Sequence, residues 1–362
     1  MKKVLCAATS VLLLAFGAST ALAVGNIYSG LAETERGGGI ETTLSVQQSA
    51  VPADEDVFVT VTMRNNGERT AHVLKWYTPY DDVEDMLFTI TRDGQPVSYL
   101  GPHYKRAAPR AADYLRLAPG KSFTRTVEIS SLYDFSKSGA YQIQYNVASA
   151  HLLAEKRSGP AQGISSNAVG LWVVGRAPES RMVASEVEKV TGSVSFTGRC
   201  SATRQSTLLS ALNSASTYAN NAVSYLNGTP GATPRYSTWF GAYSSTNWNT
   251  VKANFGAIKN VFDVKPITFD CSCKKSYYAY VYPTQPYKIY LCKAFWLAPM
   301  TGTDSMAGTL IHETSHFDVV AATDDVAYGQ SAAKSLALTN PSLAITNADS
   351  HEYFAENTPF QP

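Results

Sequence analysis

Residues 306–316 read MAGTLIHETSH, and this stretch decides how the second half of the sequence is expected to fold. The run before His312 is uncharged and largely apolar, which is typical of a helix buried in a core. Residues four positions apart lie on one face of a helix, so His312 and His316 can bind one metal ion. Glu313 lies one position further round and can face a water molecule on that ion. Buried histidines and a buried glutamate need a partner, and this pattern favours a metal ion.

Hydrolysis of peptide bonds is the reaction that the pattern indicates. Zinc polarises a water molecule, and a carboxylate such as Glu313 takes the proton as general base. A catalytic zinc keeps three protein ligands and one open position, so the third ligand identifies the class of protease. Six positions after the second histidine stands Ala322, which excludes a third histidine at that spacing. Two alternatives stay open: Asp325 or its neighbour Asp324 on a loop that folds back on the helix, or a later glutamate, Glu352 or Glu356, as in the gluzincin proteases.

The composition gives no reason to expect nucleic acid or an anionic membrane as the main partner. The 362 residues include 30 Lys and Arg against 29 Asp and Glu, for a net charge of +1. Hydrophobic residues make up 44% of the chain and charged residues 16%. That is ample apolar material for the cores of about two domains at this length. We also expect a monomer.

Residues 1–23 predict a cleaved signal peptide and therefore a secreted protein. Two lysines precede an apolar run over residues 4–16, and small residues follow, ending in Ala-Leu-Ala at 21–23. The apolar run is shorter than the about 20 residues that a membrane-spanning helix requires, so no membrane anchor is expected. Cleavage removes Cys6 and leaves four cysteines, an even number that suggests two disulfides in an oxidising compartment.

The rest of the chain divides into two unlike parts. Residues 24–177 contain short alternating or β-branched runs separated by turn signals, which predicts an all-β, Ig-like β-sandwich. Residues 178–195 are polar and predict a linker that serves as the processing region. Residues 196–362 change to helical spacing, with one pair of strands, and predict an α+β domain. The expected strands are 43–47, 57–63, 87–91, 123–129, 141–147, 169–174, 277–282 and 287–292, and the expected helices are 206–226, 248–262 and segments from about 304, 329 and 342.

Around the HETSH helix the sequence resembles a known family. HETSHF at 312–317, ATDDVAYG at 322–329 and NADSHEYFAEN at 347–357 are similar to motifs of the deuterolysin and peptidyl-Lys metalloendopeptidase family, the aspzincins. The resemblance covers about residues 196–362 and implies a zincin-type catalytic domain with one zinc ion per chain. The sequence departs from the family pattern at Ala322, where many members have glycine.

The resemblance implies a role for each residue that matches a family motif. The zinc ligands are expected to be His312, His316 and Asp325. Glu313 matches the catalytic base, and Tyr328 matches a tyrosine credited with stabilising the tetrahedral oxyanion. The cysteine pattern of the family implies two disulfides, Cys200 with Cys271 and Cys273 with Cys292.

The last helix carries the expected specificity pocket. Asp349 and Glu352 lie three positions apart, on one face of a helix. They match the acidic pair that lines the S1′ pocket in the Lys-specific branch of the family, and a buried ammonium group needs such carboxylates. The resemblance therefore implies a secreted metalloendopeptidase that prefers Lys at P1′, with protein or peptide substrates.

The first half is expected to be a propeptide, because bacterial relatives in this family remove such a segment on maturation. A loop that presents a lysine to the acidic pocket would inhibit the enzyme as a pseudo-substrate, and Lys105 in the turn-rich segment 101–106 is the candidate. Lys189 in the linker offers a site for self-processing. His103, His151 and His351 are interpreted as ordinary polar residues, although His351 lies near the proposed pocket. The competing hypothesis is a secreted β-sandwich binding protein in which the HETSH helix has no catalytic role.

Overall fold

The structure, a computed structural model, describes residues 39–149, 151–154, 162–175 and 192–362. The predicted signal peptide and most of the predicted linker, including Lys189, lie outside these ranges. Within them, the first half forms strands and short 3-10 turns, and the second half forms helices together with a sheet. The predicted change from a β-rich to an α+β half is therefore confirmed. The helices in the described ranges are too short or too polar to cross a bilayer.

Strands account for nearly all regular structure in the first half. Each of the six strands expected there overlaps an observed one, and short strands that the sequence did not predict lie between them. The strands are β1 (Ile40–Ser45), β2 (Ala50–Val51), β3 (Phe58–Asn65), β4 (Ala71–Leu74), β5 (Phe88–Arg92), β6 (Gln95–Pro96), β7 (His103–Lys105), β8 (Tyr114–Leu117), β9 (Ser122–Glu128), β10 (Gly139–Ser149) and β11 (Gln162–Val173).

Two sheets of the first half share one core. Strand β3 lies between β1 and β9 in a three-stranded sheet, and the second sheet has the order β2-β11-β10-β5-β6. Val59, Val61 and Met63 alternate along β3 and are fully buried, as the two-residue period of a strand requires. Ile143 and Tyr145 from β10 belong to the same core. The Ig-like topology that the sequence suggested stays a prediction.

The second half packs long helices against a mixed sheet. Both long helices and both strands expected from the sequence are present. The elements are β12 (Val194–Thr197), α1 (Ala202–Leu226), α2 (Pro234–Phe240), α3 (Ser245–Val264), β13 (Ile267–Asp270), β14 (Ala279–Val281), β15 (Lys288–Leu291), α4 (Met306–His316), α5 (Gln330–Thr339), α6 (Pro341–Ala344) and α7 (Ala348–Glu356). Strand β12 begins at Val194, so the last residues of the predicted linker belong to this sheet and not to a connecting segment.

A strand of the first half completes the sheet of the second. The order is β12-β13-β15-β14-β7, in which β7 comes from the first half and pairs antiparallel with β14. In this register Lys105 lies opposite Ala279, and His103 lies opposite Val281. The sequence did not predict this strand. It joins the halves by backbone hydrogen bonding at a sheet edge, the mode in which sheets bind extended peptides.

Helix α4 carries the HETSH motif, and each of its eleven residues is buried. The Ser305 side chain accepts a hydrogen bond from the Gly308 N–H and caps the start of the helix. Gly308 lets α7 come close, because a Cβ there would lie 2.1 Å from Glu356 Oε1. The helix ends at His316, after which Phe317 turns to extended backbone angles. Close packing of α4 on α7 brings the metal-binding motif next to the predicted pocket.

Both predicted disulfides are present. Cys200, just before α1, bonds to Cys271, just after β13. Cys273 bonds to Cys292 at the end of β15. The two bonds tie the sheet of the second half to its first helix and to the segment that leads into β14.

Candidate active site

The two histidines of α4 and one aspartate converge on a single point. His312 Nε2 lies 3.1 Å from Asp325 Oδ1, and His316 Nε2 lies 3.6 Å from the same oxygen. All three side chains are buried. Both Nε2 atoms lack a well-aligned hydrogen-bond partner among the described residues. Buried polar atoms that converge without partners fit a bound cation.

The other nitrogen of each ring is held by the protein. His312 Nδ1 lies 2.9 Å from Asp349 Oδ1, and His316 Nδ1 lies 2.7 Å from the Thr323 backbone oxygen. An acceptor at Nδ1 assigns the proton to that atom and leaves the Nε2 lone pair for a metal. Two neutral imidazoles and one carboxylate are a donor set that suits zinc.

Burial and neighbouring charges shift the pKa values of all three groups. Burial lowers the pKa of His316 to about 3, so the ring is neutral at physiological pH. For Asp325 burial favours the protonated acid, but His316 and His312 outweigh it, and its pKa is held well below the usual range. Asp325 is therefore an anion beside a neutral His316 ring. Burial lowers the pKa of His312, but Asp325, Asp349 and Glu352 outweigh it, so the pKa of His312 lies well above its ordinary value.

Glu313 lies beside this cluster as a buried carboxyl. Burial raises its pKa to about 8, opposed by the charge of His312. Neither carboxyl oxygen of Glu313 has a hydrogen-bond partner among the described residues. A carboxyl with a pKa near the working pH is suited to accept and return a proton. When bound, zinc would supply Lewis acidity that polarises a carbonyl oxygen and acidifies water.

The loop 323–329 brings Asp325 to the histidines and carries Tyr328. It begins after Ala322, which has a φ of 46° in the left-handed region that glycine adopts without strain. Asn347 Oδ1 accepts hydrogen bonds from the Val326 and Ala327 N–H groups. Asp349 Oδ2 accepts one from the Gly329 N–H at 2.6 Å. Residues at the start of α7 thus fix the backbone of the ligand loop.

Lys105 fills the predicted acidic pocket. Its Nζ lies 2.5 Å from Glu352 Oε2 and 3.6 Å from Asp349 Oδ1, and the side chain is fully buried. Asp304, which the sequence did not single out, lies 3.6 Å from the same nitrogen. The Tyr278 ring lies 5.1 Å away at its centroid. Burial disfavours the ammonium charge, but Glu352 and Asp349 outweigh it, so the pKa of Lys105 rises well above its ordinary value.

Arg106, the next residue along, binds the tyrosine expected to stabilise an oxyanion. Arg106 Nη1 donates a hydrogen bond to Tyr328 Oη at 2.9 Å. The Tyr328 ring packs edge-on against Trp76 of the first half, with ring centroids 5.2 Å apart. Burial raises the pKa of Tyr328 well above its ordinary value, so its hydroxyl stays protonated. In this state the hydroxyl is engaged by the first half.

The alternative third ligand does not lie with the histidine pair. Glu352 Oε2 lies 3.4 Å from His312 Nδ1, on the opposite side of the ring from Asp325. Its partner there is Lys105. The geometry therefore favours Asp325 over Glu352 as the third donor.

Two histidines interpreted as ordinary polar residues lie at the site. The His103 ring, on β7, lies 4.9 Å from the His316 ring between centroids. His151 Nε2 lies 2.8 Å from the Tyr328 backbone oxygen. The structure places both rings beside residues of the candidate site, and nothing in it contradicts their interpretation as polar residues. A lone histidine in a strand or loop carries no spacing signal, so only the fold could bring them to the cluster.

The chain is similar to secreted and Lys-directed proteases over most of its length. Residues 225–356 match the family described as lysine-specific metallo-endopeptidase, the aspzincins. An extracellular protease of Aeromonas hydrophila is 49% identical over 327 residues, covering 89% of this chain and 93% of that protein. A peptidyl-Lys metalloendopeptidase of Armillaria mellea is 38% identical over 333 residues, again covering 89% and 93%. A solved zinc peptidase from Grifola frondosa is 49% identical, covers 45% of this chain and 100% of its own, and gives a TM-score of 0.44.

The fold and the site thus define a zinc-dependent hydrolase of peptide bonds. The chain belongs to the aspzincin family and is a zinc metalloendopeptidase. Its substrates are proteins or peptides. The competing hypothesis of a binding protein without catalysis is therefore set aside.

Proposed function

We propose that this chain is a secreted zymogen whose second half cleaves peptide bonds on the amino side of lysine. The observation that carries the proposal is Lys105. Strand β7 runs along β14 as an extended peptide, and the Lys105 side chain enters a buried pocket of three acidic residues. A segment bound in this way has the backbone pairing and the side-chain selection of a substrate.

One zinc ion per chain would be held by His312, His316 and Asp325. Glu313 would act as general base and later return its proton to the leaving amine. That role is supported by the position of Glu313 directly after His312 on α4 and by its burial beside the proposed ligands. Tyr328 would donate its hydrogen bond to the oxyanion once Arg106 has left.

The pocket suits lysine for physical reasons. A buried ammonium group is stable only where anions and oriented acceptors replace its water. Asp349 and Glu352 supply the charge, Asp304 adds a partly exposed carboxylate, and Tyr278 offers a ring face. Apolar residues would leave these carboxylates buried without a partner.

The first half would act as an intramolecular inhibitor. It covers the site with β7, and it binds Tyr328 through Arg106. Secretion is supported by the predicted signal peptide at 1–23 and by the extracellular relative from Aeromonas hydrophila. Cleavage within 178–195 would release the enzyme, and Lys189 there would permit self-processing.

The first test compares the purified wild-type protein with Glu313→Gln. We expect the wild type to cut casein before lysine, with one zinc per chain in both proteins. The variant should lose about 10²–10⁴-fold in rate, because the general base is gone while the ligands stay. Mass spectrometry of the fragments and metal analysis are the measurements. Equal activity in the variant, or fragments without lysine at their amino termini, would contradict the proposal.

The second test addresses the pocket. Asp349→Asn combined with Glu352→Gln should abolish the preference for lysine while slower cleavage at other residues persists. Glu356→Gln is the matched control, because Glu356 lies on the same helix but accepts hydrogen bonds from Ser305 instead. Zinc content is measured in all three proteins, since Asp349 also lies beside His312. Unchanged lysine preference in the double variant, with zinc retained, would contradict the assignment of Asp349 and Glu352 to the lysine pocket.

A further inference from the structure

His103 lies where a further metal ligand would lie. His103, His316 and Asp325 each offer one ligand atom, and the three atoms lie within 4.8 Å of one another. Asp325 Oδ1 is the oxygen that also lies 3.1 Å from His312 Nε2. Asp325 is therefore the shared member, with His103 and His316 grouped around it and His312 in contact with its Oδ1.

The position of His103 follows from the same strand that delivers Lys105. Residues two apart in a strand point to the same face. Lys105 enters the acidic pocket, so His103 is directed toward the same side of the sheet, where its ring meets His316. On the other side of the His103 ring, Tyr99 packs edge-on with centroids 5.7 Å apart. No hydrogen bond is made by the His103 ring within the described ranges, so a lone pair stays free for a metal.

We infer that His103 is a fourth zinc ligand in the precursor, supplied by the first half and lost on maturation. The inference rests on the proposed zymogen and adds how its metal is kept inactive. A catalytic zinc needs a position open to water or substrate, whereas four protein ligands make a closed site of the structural type. With His103 bound, no such position is left.

The inference also explains why β7 is not itself a substrate. The peptide bond between Tyr104 and Lys105 precedes a lysine that fills the pocket. A peptide in this place should be cut by a Lys-specific enzyme. With His103 as its fourth ligand, zinc would not be able to polarise the carbonyl group of that bond. Arg106 holds the Tyr328 hydroxyl, which is then not available to stabilise an oxyanion.

The test counts the imidazole ligands of zinc in the full-length protein. The precursor is held intact by Glu313→Gln, and zinc K-edge X-ray absorption is measured on it and on the matured wild type. We expect three imidazoles in the precursor and two in the matured enzyme. Two imidazoles in both states would overturn the inference, and this measurement requires no change at His103.

A variant gives the second readout. His103→Phe, in the Glu313→Gln background, keeps a ring against Tyr99 but has no lone pair. We expect the visible d–d absorption of its cobalt(II) form to change. We also expect a chelator to remove its zinc at least about tenfold faster, since even the loss of a group that only hydrogen-bonds to a metal ligand can weaken metal binding by this much. His151→Phe is the matched control, since His151 contacts the Tyr328 backbone and not the metal donors. Identical spectra and release rates in His103→Phe and its parent would overturn the inference.

The two proposals fail differently. If the wild type matures and cuts before lysine while its precursor shows two imidazoles, only the role of His103 is lost. If the wild type never cleaves protein, the proposed function is lost whatever the ligand count.

Discussion

Helix α4 and the loop 323–329 both supply metal donors, but different parts of the chain hold them. Helix α4 packs on α7, α1 and α3 of its own half, and its eleven residues are buried there. The loop is held from two sides. Its N–H groups at Val326, Ala327 and Gly329 bond to residues of the second half.

The carbonyl oxygens of the same loop bond to the first half. Tyr77 Oη donates to the Asp325 oxygen at 2.8 Å, and Ser149 Oγ donates to the Val326 oxygen at 3.1 Å. His151 Nε2 lies 2.8 Å from the Tyr328 oxygen. Departure of the first half would expose these carbonyls to water and leave the N–H bonds in place.

The difference separates metal binding from activation. The N–H bonds keep Asp325 at the histidines in either state, so the zinc site should persist through maturation. The Tyr328 side chain, in contrast, packs in the core of the first half in the precursor. In the proposed zymogen its hydroxyl would become available to a substrate only when that core leaves.

The largest effect is expected at Lys105, the residue of the first half that contacts Asp349 and Glu352 of α7. Lys105→Met leaves Asp349 and Glu352 buried without their cation, which costs about 3–5 kcal/mol when one partner of a buried pair is removed. The precursor should therefore lose latency while its zinc content stays the same. Hydrolysis of a quenched lysine-containing peptide by the purified precursor is the measurement.

The matched control for that experiment is Lys75→Met. Lys75 Nζ donates to the Ala112 carbonyl within the first half and does not enter the pocket. The Lys75→Met variant should leave the latency of the precursor unchanged. A Lys105→Met precursor as inactive as this control would show that β7 pairing alone blocks the cleft.

Tyr328→Phe tests the loop side of the site and should have the next largest effect. Removal of one oxyanion donor typically lowers kcat by about 10²–10³-fold. The loss should appear in the matured enzyme with zinc content unchanged, because Asp325 is held by the backbone bonds of its loop. Tyr353→Phe is the control, since its hydroxyl donates to Asp304 and not toward the metal donors. Full activity of Tyr328→Phe would remove this residue from catalysis.

A smaller effect is expected at Tyr77, whose hydroxyl bonds the ligand loop from the first half. Tyr77→Phe deletes the hydrogen bond to the Asp325 carbonyl and should destabilise the precursor by about 1 kcal/mol. The matured enzyme lacks this contact and should keep its kcat/KM. Chemical denaturation of both precursors in the Glu313→Gln background measures the first value. Lower activity of the matured variant would mean that the first half stays bound.

Sequence patterns predicted the parts of the site that lie on one regular element. His312, Glu313 and His316 follow from the period of α4, and Asp349 and Glu352 share a face of α7 for the same reason. Lys105 was expected from charge complementarity with that face. The residues of each helix lie within a few positions of one another in the sequence. Lys105 is distant in the sequence, but its charge complements the charges of Asp349 and Glu352.

The remaining features depend on long-range pairing that no local pattern specifies. Strand β7 has three residues, too few for a period, and pairs with β14 in the other half of the chain. His103, Arg106 and His151 reach the site only through that association. Asp304 precedes α4 outside any motif and joins the pocket because α4 packs on α7. These are the residues that link the halves.

The smallest effect is expected at Glu84, on the rim between the halves. Its carboxylate pairs with Lys275, which is 41% exposed at the side chain, and accepts a hydrogen bond from Tyr277 Oη at 2.5 Å. Exposed pairs contribute about 0–1 kcal/mol, so Glu84→Gln should lower precursor stability by no more than that. Glu128→Gln is the control, because Glu128 bonds to Ser131 of its own half.

The pH dependence of precursor stability distinguishes the Glu84 contact at the rim from the buried contact of Lys105. Burial raises the pKa of Glu84, but Lys275 and Tyr277 outweigh it, so the pKa in the precursor falls below the ordinary 4.5. A lowered carboxyl pKa stabilises the folded state above about pH 4.5, and that contribution is lost as the pH falls through the lowered value. The difference in Tm between the parent and Glu84→Gln, both carrying Glu313→Gln, should therefore shrink on acidification. A difference that stays constant to well below pH 4.5 would mean that Glu84 acts through its shape and not its charge, since only the charge responds to protonation.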